Sequence, residues 1–468
     1  MGIFLFILTL FVFRNAFSMR FFAYDYFFLK ISKAQNILQL LSFFNPFKSY
    51  FYRPIPTEIF YFIIQKTNYN FFLIHSLVFV VYFVGIYYLY KSIFLLSKNN
   101  YFAQLVIIIY CLSFIHVFQL YWLATFQEVC LFSFLSISFY KYLKQQYLLS
   151  VFFFVLALMS KETALLLPLF FVVTGFINHN KLGLKKLILV TLPYFVIALI
   201  FLLIYSVGVK QVATIDTYKI NLNPKIILNN LAWYMLWGIG FPNVMVEYTK
   251  SLFFRFTPEF WLLFKSADFR IYSYVLIAYL GIFLLSLMIY LIKNKNSIKK
   301  IMTLAVFTLA GFIIFIAPTL PIIHKWMVRL TLPLIFLSIF QASILYKFAK
   351  EGKFFKTVFI ILTILYFTWN YYGIKVHESS SSYLFENRIY NNSAVYFAKN
   401  KSKILEKKSI YFINYFGDWR SVKLKNSYHD QDFLDYFLPG IKIKAVYEHD
   451  SKKIPENSFV IDGGDITK

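Results

Sequence analysis

The sequence predicts an all-α polytopic membrane protein of about eleven transmembrane helices, followed by a small extracytoplasmic α/β domain. Three observations carry that prediction. The chain is 60% hydrophobic and only 15% charged, with a mean hydropathy of +0.64. Soluble domains hold about 25% charged residues and could not hide this much apolar surface. Lysines gather in every second connection between apolar runs, and beyond residue 371 the composition turns polar with short strand-like runs. The net charge of +26 therefore points to lipid headgroups at a membrane surface and away from nucleic acid.

The apolar runs lie near 1–19, 71–90, 101–120, 125–140, 147–159, 163–177, 187–207, 273–292, 301–317, 326–346 and 354–371. A hydrocarbon core near 30 Å takes roughly 20 helical residues, fewer where helix ends dip into the interface. Five short connections hold Lys91 and Lys98; Lys141 and Lys144; Lys181, Lys185 and Lys186; Lys293, Lys295, Lys299 and Lys300; and Lys347, Lys350, Lys353 and Lys356. By the positive-inside rule these connections face the cytoplasm. The turns between them, at 121–125, 160–162 and 318–325, carry only Lys161 and Lys325 and face outside. The first run, followed by Arg14 and Arg20, locally favours the opposite orientation, but the five later loops outvote it.

On this count the segment 208–272 begins and ends outside. Its apolar piece Leu231–Val246, with Trp233, Trp237, Gly238, Gly240 and Pro242, predicts a re-entrant or interface-lying element. Residues 1–371 then form the transmembrane domain and 372–468 the extracytoplasmic one. The latter has strands at Ser409–Ile413, Ile441–Tyr447 and Ser458–Ile461 and a helix near Ser382–Lys399. The two cysteines, Cys111 and Cys130, fall in apolar segments and read as inert core residues.

Polar groups gather on the outside surface of this topology. In the outside loop 20–70, Asp25 sits among aromatics in FFAYDYFFLK, the pattern of an amphipathic interfacial helix. It reads either as a solvated or capping carboxylate or as a general base or metal ligand. Arg53 is a surface residue or the partner of Asp25. Glu128 marks the outside start of the fourth run, as a dipole-stabilising acid or a site residue. Ser160-Lys161-Glu162 forms a tight hairpin between two runs, with Ser160 capping the following helix, or else one wall of a site. His324, Lys325 and Arg329 occupy an outside helix start and, with Lys161, form a cationic cluster facing Asp25, Glu128 and Glu162. Acids beside cations at one surface suit a lipid phosphate plus a reacting hydroxyl. No spacing has metal-ligand specificity.

In order and membrane side, AYDYFF, YRPIPTEIFYF leading to Asn70 and His75, FQEVC, SKETALLLP and the late P…RLTLP segment resemble the GT-C glycosyltransferases of the protein O-mannosyltransferase and aminoarabinose-transferase type. The likeness covers roughly residues 1–371. Where many relatives carry two adjacent acids in the first loop, this chain has Tyr24 and Asp25, and it lacks the tetratricopeptide repeats of one branch. The resemblance implies an inverting transfer from a polyprenyl-phosphate sugar donor to a glycan, lipid or protein acceptor, on the extracytoplasmic face of the plasma or inner membrane. It implies Asp25 as the base. Lys161 and Arg329, helped by His324, steady the departing phosphate, while Glu128 and Glu162 orient groups or bind a divalent metal ion. The rival classes are a polysaccharide polymerase or O-antigen ligase, a flippase, and a GT-C scaffold that no longer catalyses.

Overall fold

In a computed structural model of the chain, the described residues are 2–47, 52–177, 183–212, 220–249, 256–380, 383–413, 424–441, 443–447 and 454–467. Lys181 and parts of the 208–272 segment lie outside them. Helix occupies each of the eleven apolar runs. In chain order the helices are α1 (Gly2–Val12), α2 (Tyr24–Ile31), α3 (Ile37–Leu41), α4 (Phe60–Lys66), α5 (Phe71–Ser97), α6 (Asn100–Cys111), α7 (Val117–Tyr121) and α8 (Phe126–Leu143). There follow α9 (Tyr147–Leu158), α10 (Leu167–Ile177), α11 (Leu184–Val212), α12 (Pro224–Gly238), α13 (Ala267–Lys293), α14 (Ile298–Ile316), α15 (Pro333–Lys350), α16 (Lys353–Ser380) and α17 (Tyr383–Leu405).

This is a helical membrane protein. Among the described residues six helices are long and apolar enough to cross a bilayer, and a seventh is added if the pair Asn100–Cys111 and Phe114–Tyr121, bent by 49°, counts as one span. Shorter apolar helices cover three further runs, Gly2–Val12, Tyr147–Leu158 and Glu162–Gly175. Helices α1 and α9 hold 11 and 12 residues, about 18 Å of rise, well under a 30 Å core.

The helices pack through small residues, which let backbones approach where lipid supplies no hydrophobic drive. At Gly85 of α5, a Cβ would meet the Phe132 ring of α8 at 2.5 Å and Ser133 Oγ at 2.7 Å. Ser133 Oγ in turn donates to the Val81 carbonyl at 2.6 Å. Ser138 and Ser150 each donate to the other's carbonyl, tying α8 to α9.

The Trp-rich piece Leu231–Val246 is shared between two helices. Helix α12 ends at Gly238, and a 3-10 helix covers Asn243–Tyr248. Trp233, Tyr234 and Trp237 are buried, and the Asn230 amide donates to the Leu320 and Ile322 carbonyls. Between the two helices Gly240 has φ +112°, and any Cβ there would overlap the Trp369 indole. Only glycine suits that corner.

Helix α16 runs on to Ser380, with Ile374, Val376 and His377 buried. After α17, strands β1 (Ser409–Ile413), β2 (Lys444–Tyr447) and β3 (Ser458–Asp462) form a parallel sheet in the order β2-β1-β3.

Packing at Gly85 makes a direct prediction. Gly85→Val overpacks the α5–α8 contact and lowers stability by about 1–3 kcal/mol, read as an earlier thermal transition of the detergent-solubilised protein. Gly281→Val, where nothing lies within 4 Å of the added Cβ, leaves that transition in place.

Candidate functional site

The hairpin at 159–161 is closed by its own polar groups. Ser160 Oγ donates to the Leu156 carbonyl at 2.8 Å, and the Lys161 amide to the Ala157 carbonyl at 2.9 Å. Ser160 therefore finishes the preceding helix and does not cap the following one, which is the reverse of the expectation. With φ −165° and ψ 141°, Lys161 is extended, which breaks the helix and frees its side chain to reach α8. There its ammonium donates to Glu128 Oε1, and both residues are buried. Glu128 is thus the partner of a lysine and more than a dipole-stabilising acid at its helix start. Glu162 meets Arg53 in a two-pronged pair, with Nε to Oε2 at 3.0 Å and Nη2 to Oε1 at 2.8 Å. Arg53 Nη1 also donates to Gln127 Oε1. Two ion pairs therefore lie side by side, because Gln127 adjoins Glu128 and Lys161 adjoins Glu162.

Glu128, Leu131, Lys161, Thr163, Phe315, Arg329 and Leu332 line one small cavity of about 10 Å³, room for about one water, so an anionic head enters only if these side chains move apart. Arg329 enters from a 3-10 helix at Met327–Leu330. Its Nη1 donates to the His324 carbonyl at 2.7 Å and to the Tyr234 hydroxyl at 3.1 Å. Among the described residues no carboxylate pairs with it. Thr163 Oγ1 is buried with no hydrogen-bond partner among the described residues, an arrangement that is rare unless something else satisfies the group. The cavity therefore holds two cations, one anion and an orphan hydroxyl.

Phe315 and Leu332 also wall a second, almost wholly apolar cavity of about 270 Å³. Its lining follows α15 from Leu332 to Ser343, about 16 Å at 1.5 Å per residue. It thus runs from the Arg329 end of α15 toward the end that carries Lys347 and Lys350.

Asp25 stands in a different setting. It is fully buried in the first turn of α2 and does not ride a solvated face of that helix. Its Oδ2 accepts the Phe22 amide at 3.0 Å, reaching back three residues as in a capping box, and its Oδ1 accepts the Tyr61 hydroxyl. Tyr61 arrives on α4, which is preceded by one turn of π-helix at Ile55–Ile59. Burial pushes the Asp25 carboxyl up to about 7, although Tyr61 and the Phe22 amide favour the charged form. Arg53 is engaged with Glu162 and Gln127, so the expectation that it partners Asp25 is corrected. The link between Asp25 and the cavity is aromatic. Trp122 stacks on Phe22 at 5.0 Å, donates to the Phe22 carbonyl at 3.2 Å, and packs 5.4 Å from Trp326, three residues before Arg329.

One further expectation is corrected. His324 lies in a turn where desolvation and the neighbouring Arg329 and Lys325 charges push its pKa down to about 4. It is neutral at pH 7 and adds no positive charge to the cluster. Among the described residues no three His, Cys, Asp or Glu side chains converge. Lys161 already occupies the Glu128 carboxylate, and Tyr61 that of Asp25.

Sequence reasoning missed Tyr61, Trp122, Gln127, Thr163 and Tyr234. Gln127 and Thr163 each adjoin an acid that was singled out, which was a usable signal. The chain has 37 tyrosines, and nothing in the sequence separates Tyr61 from the rest.

Lys161→Met strands a buried carboxylate at Glu128 and lowers stability by about 3–5 kcal/mol. The double variant Lys161→Met/Glu128→Gln recovers most of that loss in thermal unfolding. For Asp25 the sign follows from a folded pKa above the unfolded one: its charged form opposes folding, so its contribution to stability falls as pH rises from about 4 to about 7. Asp25→Asn flattens that stretch of the stability–pH curve, measured by unfolding at a series of pH values. Compared with protein-family models and with characterised proteins, the chain gives no match.

Proposed function

We propose that this protein is a membrane glycosyltransferase that takes a sugar from a polyprenyl-phosphate donor and passes it, with inversion, to a glycan, lipid or protein acceptor. The observation that carries the reading is the cavity of Glu128, Lys161, Thr163 and Arg329, which shares two walls with the apolar slot beside it. A net positive charge, an unsatisfied hydroxyl and a slot about 16 Å long suit a ligand with an anionic head and a hydrocarbon tail. The order of motifs along the chain supports the same reading.

In this mechanism the bond from the anomeric carbon to the phosphate oxygen breaks as the acceptor oxygen attacks from the opposite face. Charge develops on the leaving phosphate. Lys161 and Arg329 stabilise it there, and Thr163 adds one donor. The acceptor proton passes to Asp25, whose pKa near 7 places it well for a general base. Asp25 is enclosed, so the acceptor reaches it by displacing Trp122, which already contacts the segment leading to Arg329. In this reading the positive-inside pattern of the loop lysines puts the chemistry on the extracytoplasmic side, with residues 372–468 over it. Arg53 and Glu162 brace the hairpin that carries Lys161.

The test uses purified protein in proteoliposomes with a panel of radiolabelled polyprenyl-phosphate sugars, the productive sugar being found by mass spectrometry of envelope glycans after deletion of the gene. Asp25→Asn lowers turnover by about 10²-fold or more while donor binding persists. Arg329→Ala and Thr163→Val raise the donor KM, Arg329→Ala by about tenfold or more. Full transfer by Asp25→Asn would sink the mechanism, and donor binding without turnover in the wild type would mark an inactive scaffold.

A further inference from the structure

Helix α2 begins under strain. Ala23, the residue before it, has φ +51° and ψ −122°, a region that only glycine adopts readily. A non-glycine residue holds such a conformation only when its surroundings impose it. Here the imposing contact comes from far along the chain: the Ala23 amide donates to the Ser427 carbonyl at 2.6 Å. The same turn feeds Asp25, because its neighbour Phe22 supplies the amide that the carboxylate accepts.

The C-terminal segment grips the rest of α2 as well. Asp432 pairs with Lys30 at 2.8 Å and accepts from His429 Nδ1 at 2.7 Å. The His429 ring packs on Tyr24 and Phe27 at 4.6 and 5.4 Å. Asp432 is held below the usual carboxylate range by the His429 and Lys30 contacts, which outweigh its partial burial. It therefore stays ionised at neutral pH. His429 itself has φ +49° and Asp430 φ +60°, so the gripping loop is also built in an uncommon conformation.

We propose that Ser427 and Asp432 are positioning residues for Asp25: the segment around them holds the strained Ala23 turn and the face of α2, and so fixes where the carboxylate points. Only the choice of Asp25 as the reactive group rests on the glycosyltransferase reading. Asp432 acts through Lys30 and His429, and Ser427 through its backbone carbonyl on Ala23. Releasing either loosens the turn between Phe21 and Asp25 and leaves the Arg329 cavity intact.

Hydrogen exchange on the full-length protein in detergent tests the clamp without needing a substrate. Asp432→Asn speeds exchange across 22–31 by about tenfold or more, the scale set by the strain of one non-glycine residue, while α5 and α8 keep their protection. Adding Ala23→Gly removes the strain that the clamp opposes, so the double variant returns toward wild-type exchange. Lys30→Met cuts the same link from the exposed side and gives the same local result should Asp432→Asn fold poorly. In the transfer assay, Asp432→Asn lowers kcat with donor KM unchanged, and Ala23→Gly restores it. Unchanged exchange in Asp432→Asn and Lys30→Met, acceleration throughout the molecule, or no rescue by Ala23→Gly would each overturn the clamp. The expected exchange pattern in a protein that transfers no sugar upholds the clamp and discards the glycosyltransferase reading instead.

Discussion

The ion pair between Lys161 and Glu128 is the constraint on which the rest of the site depends. Both groups are buried, and moving either charge out of water is costly unless the other is present. Each therefore dictates where the other must be. Lys161 reaches its partner only because the chain is extended there, which forces the break between α9 and the helix that follows. The neighbouring pair of Arg53 with Glu162 repeats the same logic one residue along and fastens the first loop to the hairpin. The serine contacts between α8 and α9 hold the two helices close enough for this to work.

Two environments result, and they favour opposite chemistry. Around Arg329 the surplus is positive, so an anion is welcome. Around Asp25 the surroundings are apolar and aromatic, so negative charge is resisted and the proton is held until near-neutral pH. Trp122 and Trp326 stand between them. Separation of this kind keeps the carboxylate from simply pairing with the cations, which would lower its affinity for a proton.

The fold was legible in the sequence to the extent that it follows from one-dimensional pattern. Every apolar run became helix, and the strands at Ser409, Lys444 and Ser458 announced themselves by alternation and β-branched residues. Positions where tertiary contact overrides local pattern were not legible. Ala23 has no local reason to take positive φ, and Tyr61 reaches Asp25 across 36 positions in the chain. The grouping of Glu128, Lys161 and Arg329 was visible because burying charge in apolar sequence needs an explanation. Of the two readings of Arg53, surface residue or partner of Asp25, neither names Glu162, because that partner lies 109 positions away in the chain. The lowered pKa of His324 comes first from desolvation, which the sequence does not show, and then from Arg329 and Lys325, which it does.

The π-helical turn at Ile55–Ile59 has a consequence for helical phase. A π turn takes in one residue more than an α turn, and one residue amounts to about 100° of rotation about the axis. Tyr61, after it, is therefore turned relative to the helix start at Pro54, beside Arg53, by an angle that an unbroken α-helix of the same length would not give. Arg53 points to Glu162 and Tyr61 to Asp25. A single wide turn thus serves as the angular offset between the anion-facing and proton-facing halves of the molecule, and its length in residues is fixed by both at once.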